Sequence, residues 1–443
     1  MGPTKSEHDG ALPSALALPT VAAPKFQALK GTRDILSPDS ERHRALVDAF
    51  ADEARLAGYG HIMSPIFEDL DVFLRVGDST DVVTKEMYDF EDKDGRRIAL
   101  RPELTASVVR AFVQHNPPSL PWKVWYEGPQ FRHEKPQAGR YRQFSQVGIE
   151  VLGSDDPAVD IEVITLGWRF YQRLGMSQVT LLLNSLGDAG CRPVYFAALE
   201  EYLRDNASNL SEKSVETLDK NPLRVLDSKR GQDQEIVAGA PVMVDFLTEE
   251  TGEHFAAVRE GLDSLGISYE ISPRLVRGLD YYTRTTFEFA STALENAQNA
   301  VGGGGRYDGL AESLGGKPTP GIGFALGVDR ILLACDAEEV FESPGVTPDV
   351  FIVDLVGGGE ATVLADQLRQ NGIAADRGFD GRSMKAQMKV ADRSNAPWAI
   401  IIGESEQAEG NVTLRDMRGD SGQSLVGRDD LLETLSGRLA NPA

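Results

Sequence analysis

The sequence predicts an α+β domain with a mainly antiparallel sheet, a helical insertion within that domain, and a smaller α/β domain at the C-terminal end. Residues 122–126 and 144–152 have apolar strand patterns on either side of a charged loop, as in an antiparallel pair. Residues 190–262 are charged and mostly helical in pattern, and they separate two β-rich parts. From residue 348, strand and helix patterns alternate, which is typical of a compact α/β domain.

Periodicity and boundary residues define the expected elements. From residue 40, apolar side chains recur at helical spacing and Gly58 provides a stop, so we expect a first helix over 40–58. Residues 145–151 alternate between polar and apolar side chains, which predicts a strand with one buried face. The other expected strands are 59–67, 98–100, 269–271, 286–289, 321–327, 350–353, 398–402 and 411–416, and the other expected helices are 105–114, 328–335, 362–369 and 384–391.

Changes in composition set the expected domain boundaries. The first 24 residues contain four prolines and few large apolar side chains, which predicts a disordered tail, and their mixed charges argue against an export signal. Residues 336–347 are acidic and contain Pro344, which indicates a linker. The predicted organisation is a tail at 1–24, a first domain at 25–189 and 263–335, a helical insertion at 190–262, a linker at 336–347 and an α/β domain at 348–443.

Composition restricts the location and the chemistry of the protein. The chain of 443 residues has no run of about 18 apolar residues, so no membrane span is expected. Cys191 and Cys335 form no CxxC pair, which favours a reducing cytoplasm, and the six histidines include no HExxH, so no metal site is expected from protein motifs. The net charge of −23 disfavours a generally basic surface but allows a local basic patch.

Two segments carry residues that suit phosphate binding. Arg132 lies in the charged loop, and its planar, permanently charged guanidinium matches phosphate oxygens; a solvated hairpin tip is the alternative. The glycine-rich strand at 321–327 would admit a flat ring and is followed by Arg330; the alternative is a packed strand with a surface arginine. The glycines at 302–305 lack the Lys-Ser/Thr of a P-loop, and residues 321–327 miss the dinucleotide spacing by one residue. Any nucleotide site would therefore have another architecture.

Residues 277–289 place an arginine close to two tyrosines in a β-rich region. Arg277 with Tyr281 and Tyr282 suits a pocket that holds a small planar, hydrogen-bonding molecule beside an anion. Composition alone would favour an ordinary exposed strand with aromatic packing.

Four basic residues lie near residue 390 of this otherwise acidic chain. Arg382, Lys385, Lys389 and Arg393 have spacings of three, four and four, which predicts that they share one helix face. Such a face would bind RNA phosphates in a salt-dependent way, or it is simply a solvated helix surface.

Taken together, these segments resemble the class II aminoacyl-tRNA synthetases. The strand that ends near Pro65, the Phe-Arg-His-Glu loop at 131–134 and the glycine-rich strand before Asp329 and Arg330 follow the order of the three class II motifs. The chain resembles the histidyl-tRNA synthetase family in particular, from about Phe26 to Leu432, through residues 30–34, 101–103, 221–227, 277–282 and 304–308. The C-terminal region is similar to the family's anticodon-binding domain, which favours RNA as the ligand of the basic face.

The resemblance implies a role for individual residues. The substrate histidine would contact Glu103, Leu104, Thr105, Gln146, Glu150, Tyr281 and Tyr282, with Glu103, Thr105 and Gln146 at the amino group and Glu150 and Tyr282 at the imidazole. Arg132 and Arg277 would be catalytic residues at the α-phosphate of ATP, and Arg330 would bind the rest of ATP. Leu104 adds bulk where the family often has glycine.

The resemblance also implies a reaction and partners. The expected activity is activation of histidine with ATP and Mg²⁺ to histidyl-adenylate, followed by transfer to the terminal ribose of tRNA, in a cytoplasmic homodimer. One alternative is a non-catalytic, synthetase-like regulatory subunit of histidine biosynthesis, which usually lacks the segment at 277–282 and the C-terminal domain; both are present in this chain. Another is an amino-acid sensor or RNA-binding module, against which Arg132, Arg277 and Arg330 weigh.

Overall fold

The computed structural model describes residues 26–75, 82–226, 228–275, 281–294, 299–357 and 359–440. The chain forms two compact units: the first contains residues up to Asp34 with Phe50–Glu338, and the second contains Ile35–Ala49 with Glu339–Ala443. The predicted tail at 1–24 and residues 277–280 of the predicted site lie outside the described residues. Among the helices of the described ranges, none is both long and apolar enough to cross a membrane.

The elements up to Glu338 follow one another in this order. The chain begins with α1 (Asp39–Leu56), β1 (Gly60–His61), β2 (Phe67–Asp69), α2 (Leu70–Leu74), a π-helical turn (Val82–Glu86), β3 (Tyr88–Glu91), β4 (Arg97–Leu100), α3 (Thr105–His115), β5 (Trp122–Phe131), β6 (Gln143–Leu152), α4 (Pro157–Arg173) and β7 (Val179–Ser185). It continues with α5 (Arg192–Asp205), α6 (Glu212–Leu218), α7 (Gln234–Gly239), α8 (Glu249–Ser264), β8 (Glu270–Ile271), β9 (Thr283–Ser291), β10 (Ala300–Arg306), α9 (Leu310–Ser313), β11 (Gly321–Gly327) and α10 (Val328–Glu338). Short 3₁₀ turns at Ala207–Asn209, Pro222–Val225 and Met243–Phe246 connect the helices that follow β7.

An eight-stranded sheet forms the centre of the first unit, in the order β1-β5-β6-β11-β10-β9-β7-β8. Its strand pairs are antiparallel except for β1–β5 and β7–β8, which are parallel. Strands β2, β4 and β3 form a separate antiparallel sheet. The prediction of a mainly antiparallel sheet is therefore confirmed.

Two strand predictions differ from the structure. The predicted strand at 59–67 is two short strands, and Pro65, which has no amide hydrogen, lies between them. The prediction that β6 exposes one face is wrong from Val147 onward, since the side chains on both faces are buried from Val147 to Leu152. The glycines at 302–305 lie within β10, where a Cβ on Gly304 would overlap the carbonyl oxygen of Gly323 on β11.

The helical segment between β7 and β8 has its own apolar core, which includes Tyr195, Leu199 and Leu226. Asp233 is buried and accepts hydrogen bonds from the hydroxyl groups of Ser211, Ser214 and Ser228, at 2.9, 2.6 and 2.5 Å. These bonds join the start of α6 to the loop before α7, since a buried carboxylate must be satisfied by such donors.

The second unit is a layered α/β structure. It contains β12 (Val350–Asp354), α11 (Gly359–Gln370), β13 (Ala375–Arg377), α12 (Met384–Arg393), β14 (Trp398–Ile402), α13 (Glu404–Glu409), β15 (Asn411–Asp416), β16 (Gln423–Gly427) and α14 (Leu431–Ala440). The sheet order is β13-β12-β14-β15-β16, in which the first three strands are parallel and the last two pairings are antiparallel. Apolar clusters occupy both faces of β12, which confirms the predicted α/β arrangement.

Helix α12 contains only three of the four basic residues that were predicted to share one helix face. Helix α12 begins at Met384, so Lys385, Lys389 and Arg393 lie on the helix and Arg382 lies in the loop before it. The loop cannot be helical because two of its residues, Asp380 and Gly381, have left-handed backbone angles with φ of 68° and 57°.

Candidate active site

Glu150 is the centre of a fully buried polar cluster within the eight-stranded sheet. Its carboxyl group accepts hydrogen bonds from Tyr307 Oη at 2.6 Å, Thr105 Oγ1 at 2.7 Å and Tyr126 Oη at 3.2 Å. Burial raises the pKa of Glu150 to about 8, although these three hydrogen bonds act in the opposite direction. The group can therefore change its protonation state near neutral pH.

Strand β11 leaves room for this carboxyl group only because Gly323 has no side chain. Gly323 pairs with Glu150 across the β6–β11 ladder, and a Cβ at this position would overlap Oε2 of Glu150. On β6 itself, a Cβ on Gly148 would lie 2.5 Å from the hydroxyl oxygen of Tyr126. Glycine at these two central positions keeps the pocket open.

Glu103 and Thr105 form the second side of the pocket at the start of α3. The Glu103 carboxylate accepts the backbone N–H groups of Thr105 at 2.5 Å and Ala106 at 3.0 Å, and so satisfies donors that a helix start leaves unpaired. Burial raises the pKa of Glu103, while these two bonds and the positive charge of Arg132 lower it. Thr105 joins this carboxylate to Glu150 through its own hydroxyl group.

Leu104 turns away from the polar groups of the pocket. Its side chain is buried in an apolar cluster with residues such as Val108, Val124 and Leu310. The bulk at this position is therefore accommodated by the core, while the adjacent backbone still carries Glu103 and Thr105.

Two tyrosines after the undescribed residues 276–280 reach the same pocket. The ring centroids of Tyr281 and Tyr282 are 4.6 Å apart, and the Tyr281 ring lies 5.9 Å from that of Tyr307. Burial raises the pKa of Tyr281 well above its ordinary value, and the charges of Tyr282, Glu103 and Glu150 raise it further. The residues predicted to hold the imidazole therefore lie near one another.

Gln146 contributes an open acceptor at the other end of the pocket. It lies four residues before Glu150 on β6, and the even spacing puts both side chains on one face of the strand. Within the described residues, its Oε1 is buried and has no hydrogen-bond partner. A buried carbonyl oxygen of this kind is suited to a donor from a bound molecule.

A cavity of about 240 Å³ adjoins Gln146 and is lined by arginines. Arg132 donates from Nε to the carbonyl oxygen of Pro102 at 2.9 Å, and its guanidinium lies 5.3 Å from the centre of the Phe144 ring. Burial and the nearby charge of Arg140 lower the pKa of Arg330, as expected where cations converge. The cavity lining is Arg132, Glu134, Gly139, Arg140, Tyr141, Phe144, Ser145, Gln146, Glu288, Ala300, Val301, Gly302, Gly303, Ala325, Gly327, Asp329 and Arg330. These features suit a flat, anionic ligand.

The structure therefore brings most of the predicted site residues together. Glu103, Thr105, Glu150, Tyr281 and Tyr282 lie close together, and Gln146, Arg132 and Arg330 line one cavity. Arg277 lies outside the described residues, and its role remains a prediction.

Sequence reasoning missed Tyr126 and Tyr307. Both hydroxyl groups bond Glu150, and both pKa values are raised well above the ordinary value, mainly by burial. Tyr307 belongs to the segment 304–308 that carried the resemblance, and Tyr126 occupies an inward position of β5, so alternation along that strand was the available signal.

A buried ion pair holds Tyr307 in place. The neighbouring Arg306 is fully buried and donates to both carboxylate oxygens of Asp160, with a shortest distance of 2.6 Å. His254 on α8 also contacts Asp160, at 3.2 Å. Burial acts to raise the pKa of Asp160, but the bonds from His254 and Arg306 bring it below its ordinary value.

Comparison with known proteins identifies families and relatives that this chain resembles. The family model described as histidyl-tRNA synthetase matches residues 31–331, and the model of an anticodon-binding domain matches residues 349–438. A protein named histidine–tRNA ligase from Streptomyces coelicolor is 48% identical over 421 residues, which cover 94% of this chain and 98% of that protein. One of the same name from Corynebacterium jeikeium is 48% identical over 95% of this chain and 96% of its own length.

Solved structures give the same result. The apo histidyl-tRNA synthetase of Staphylococcus aureus has a TM-score of 0.78 and 36% identity, and the match covers 93% of this chain and 99% of that chain. A Bacillus halodurans protein described as an ATP phosphoribosyltransferase regulatory subunit/histidyl-tRNA synthetase matches with a TM-score of 0.60 over 83% of this chain and 97% of that one, but its 21% identity speaks only to the fold.

A mainly antiparallel sheet that carries a buried polar cluster, followed by a domain that matches an anticodon-binding model, is the architecture of an aminoacyl-tRNA synthetase. Both the identity to the curated relatives and the extent of the family match are large. The chain belongs to the histidyl-tRNA synthetase family.

Proposed function

We propose that the protein is a histidine–tRNA ligase. In the first step, a carboxylate oxygen of histidine attacks the α-phosphorus of ATP, the bond to the β-phosphate oxygen breaks, and histidyl-adenylate and pyrophosphate form. In the second step, a terminal ribose hydroxyl of tRNA attacks the histidyl carbonyl carbon, and AMP leaves. The observation that carries this proposal is the buried Glu150 cluster beside an arginine-lined cavity.

The pocket has the hydrogen-bonding pattern that an imidazole requires. A neutral imidazole has one donor and one acceptor nitrogen, and the Glu150 carboxyl and the Tyr282 hydroxyl are the proposed partners. The open Oε1 of Gln146 would accept from the substrate ammonium group, with Glu103 and Thr105 completing that site. An amino acid without a ring donor and acceptor would leave buried groups unpaired, which can give about 10⁴-fold discrimination.

The adjoining cavity would hold ATP. Arg132, with Arg277, would stabilise negative charge that develops at the α-phosphate, Phe144 would offer its ring to the base, and Arg330 would bind the remaining phosphates. Mg²⁺ would neutralise the β- and γ-phosphates when bound. Glu134 and Glu288 line the cavity and would supply carboxylate oxygens, which suit this cation together with phosphate oxygens.

Pyrophosphate exchange tests the function directly. We expect the purified protein with ATP, Mg²⁺ and labelled pyrophosphate to form labelled ATP only when histidine is present, because exchange requires reversible adenylate formation. The other nineteen amino acids are the control. Absence of exchange with every amino acid would contradict the ligase and favour the regulatory subunit, an alternative that the 48% identical relatives, all named ligases, do not support.

We further propose that the protein is a cytoplasmic homodimer. Apolar side chains are exposed on and next to the sheet β2-β4-β3: Phe67 on β2 is 57% exposed, Phe90 on β3 is also exposed, and Met63 before β2 is 83% exposed. Large exposed apolar patches of this kind mark interaction sites, and a second copy of the chain is the expected partner. Within the described residues, neither Cys191 nor Cys335 forms a disulfide, in keeping with a reducing compartment.

A further inference from the structure

In the second unit, one large aromatic ring is held in an exposed position. Phe379 lies in the loop between β13 and α12, and its side chain is 62% exposed. One face of its ring is covered by Arg377, whose guanidinium carbon lies 5.1 Å from the ring centroid. The high exposure shows that much of the remaining ring surface is open to solvent.

The supporting arginine is itself fixed. Its side chain is only 11% exposed, lies 3.7 Å from the carboxylate of Asp354, and donates to the hydroxyl group of Thr362 on α11. Arg377 thus acts as a cation–π support with its own anchors, so the Phe379 ring is presented without the entropy of a free surface side chain.

The loop backbone is also held at both ends. Gly378 N–H donates to the carbonyl oxygen of Ile352 at 2.9 Å. The buried Gln387 donates from Nε2 to the carbonyl oxygens of Asp354 and Arg382, both at 2.6 Å, and accepts the Asp354 N–H at 2.9 Å. The loop therefore sits at the carboxyl end of two parallel strands, the edge at which open α/β sheets bind their ligands.

Charge identifies the kind of ligand that this loop would bind. Arg382, Lys385, Lys389 and Arg393 follow Phe379 in the loop and along α12, and all four are exposed, in a chain whose net charge is −23. An open aromatic face beside exposed cations matches a single-stranded nucleic acid, in which bases stack on rings and phosphates meet the cations.

We propose that Phe379 is a stacking platform for an unpaired base of the anticodon loop, with Arg382 and Lys385 at the flanking phosphates. This proposal rests on the proposed function, which supplies tRNA as the partner, and it adds the residue on which a base stacks. Stacking does not require a particular base, so Phe379 would contribute affinity more than base identity.

The test compares full-length Phe379→Ala, Phe379→Leu and Phe379→Tyr with Leu425→Ala, which removes another exposed apolar side chain (59% exposed) from β16 of the same unit. The probe is a 17-nucleotide RNA with the anticodon stem-loop of histidine tRNA, in which 2-aminopurine replaces one loop base at a time. We expect Ala and Leu at position 379 to weaken binding about 5- to 100-fold. Tyr and the Leu425 control should bind within about twofold of wild type. One 2-aminopurine position should be quenched by wild type and not by Phe379→Ala.

Two outcomes would overturn the platform. One is wild-type RNA affinity in both Phe379→Ala and Phe379→Leu. That result would mean that no base stacks on the ring, and it would favour a protein as its partner. The other is equal loss in Phe379→Tyr, which keeps a stacking face. Histidine-dependent pyrophosphate exchange should be unchanged in all variants and serves as the folding control. If wild type bound the RNA but showed no exchange with histidine, the proposed activity would fail while the platform would stand.

Discussion

At the scale of single residues, the environment of Glu150 determines what the pocket can bind. A carboxyl group that is fully buried would normally be avoided, but hydrogen bonds from three hydroxyl groups make it tolerable. The same burial raises its pKa to about 8, so ionising Glu150 costs more free energy in the folded protein than in the unfolded chain. Under the proposed function, stability and substrate recognition are opposed at this residue.

The first prediction concerns how the effect of Glu150 on folding stability changes with pH. The ordinary pKa of Glu150 is 4.5 and its folded value is about 8, so between these values the folded state binds the extra proton and wild-type stability falls as pH rises. Glu150→Gln cannot ionise. We expect the melting temperature of wild type minus that of Glu150→Gln to decrease from about pH 5 to about pH 8, measured by calorimetry, with loss of histidine-dependent exchange. A difference that is constant with pH would contradict the raised pKa.

At the scale of elements, the two central strands place the chemistry. Strand β6 carries Gln146 and Glu150 on one face, and β11 provides the space opposite Glu150 through Gly323. Because both strands are interior to the sheet, their backbones are held by hydrogen bonds on both sides and move little to accommodate a change. The geometry of the site therefore depends on close packing between β6 and β11.

This leads to a prediction for Gly323→Ala. The added methyl group would displace the Glu150 carboxyl, so we expect the KM for histidine to rise at least about tenfold and stability to fall by about 1–3 kcal/mol, as for an overpacked core. The KM for ATP should change less, since Gly323 is not among the residues that line the proposed nucleotide cavity. Exchange kinetics and thermal unfolding measure these effects.

Gly231→Ala is the matched control for that variant. A Cβ on Gly231 would meet nothing within 4 Å, and the same substitution should leave both the KM for histidine and the melting temperature unchanged. An unaltered KM for histidine in Gly323→Ala would mean that the Glu150 carboxyl is not where histidine binds.

At the scale of the whole molecule, charge and exposed apolar surface are distributed unevenly. The chain is acidic overall, yet exposed cations cluster on α12, and apolar side chains are exposed around β2-β4-β3. The first feature would keep non-specific nucleic-acid binding low while leaving one local surface for RNA. The second is expected at a contact between subunits.

The dimer gives a prediction at this scale. Phe67→Glu would place a charge within the proposed contact, where it would be desolvated without a partner, so we expect the dimer dissociation constant to rise at least about tenfold. Sedimentation equilibrium measures it. Leu425→Glu puts the same charge on an exposed apolar position of the second unit and should leave self-association unchanged. Wild-type dimer affinity in Phe67→Glu would exclude this surface as the contact.

Much of the molecule followed from local sequence. Strands β11, β14 and β15 have the predicted boundaries, and α3 and α12 begin at the predicted residues, because side-chain periodicity is a short-range property. The ordered motifs around residues 101–103, 131–134 and 304–308 indicated the family, which the family model confirms, and the resemblance as a whole predicted the site residues. Arg382 was wrongly predicted to share the helix face, because the charge spacing does not reveal the left-handed backbone at Asp380 and Gly381 that precedes α12.

Only the tertiary structure decided how the buried cluster is completed. Tyr126 and Tyr307 meet Glu150 from 24 and 157 positions away, and they do so because β5, β6, β11 and β10 become neighbours in the sheet. The fixed position of the Phe379 ring likewise depends on Arg377, Asp354 and Thr362, which three separate elements bring together. Spacing along the chain determines local conformation and chemical type, whereas long-range strand pairing and packing determine which of those groups share a site.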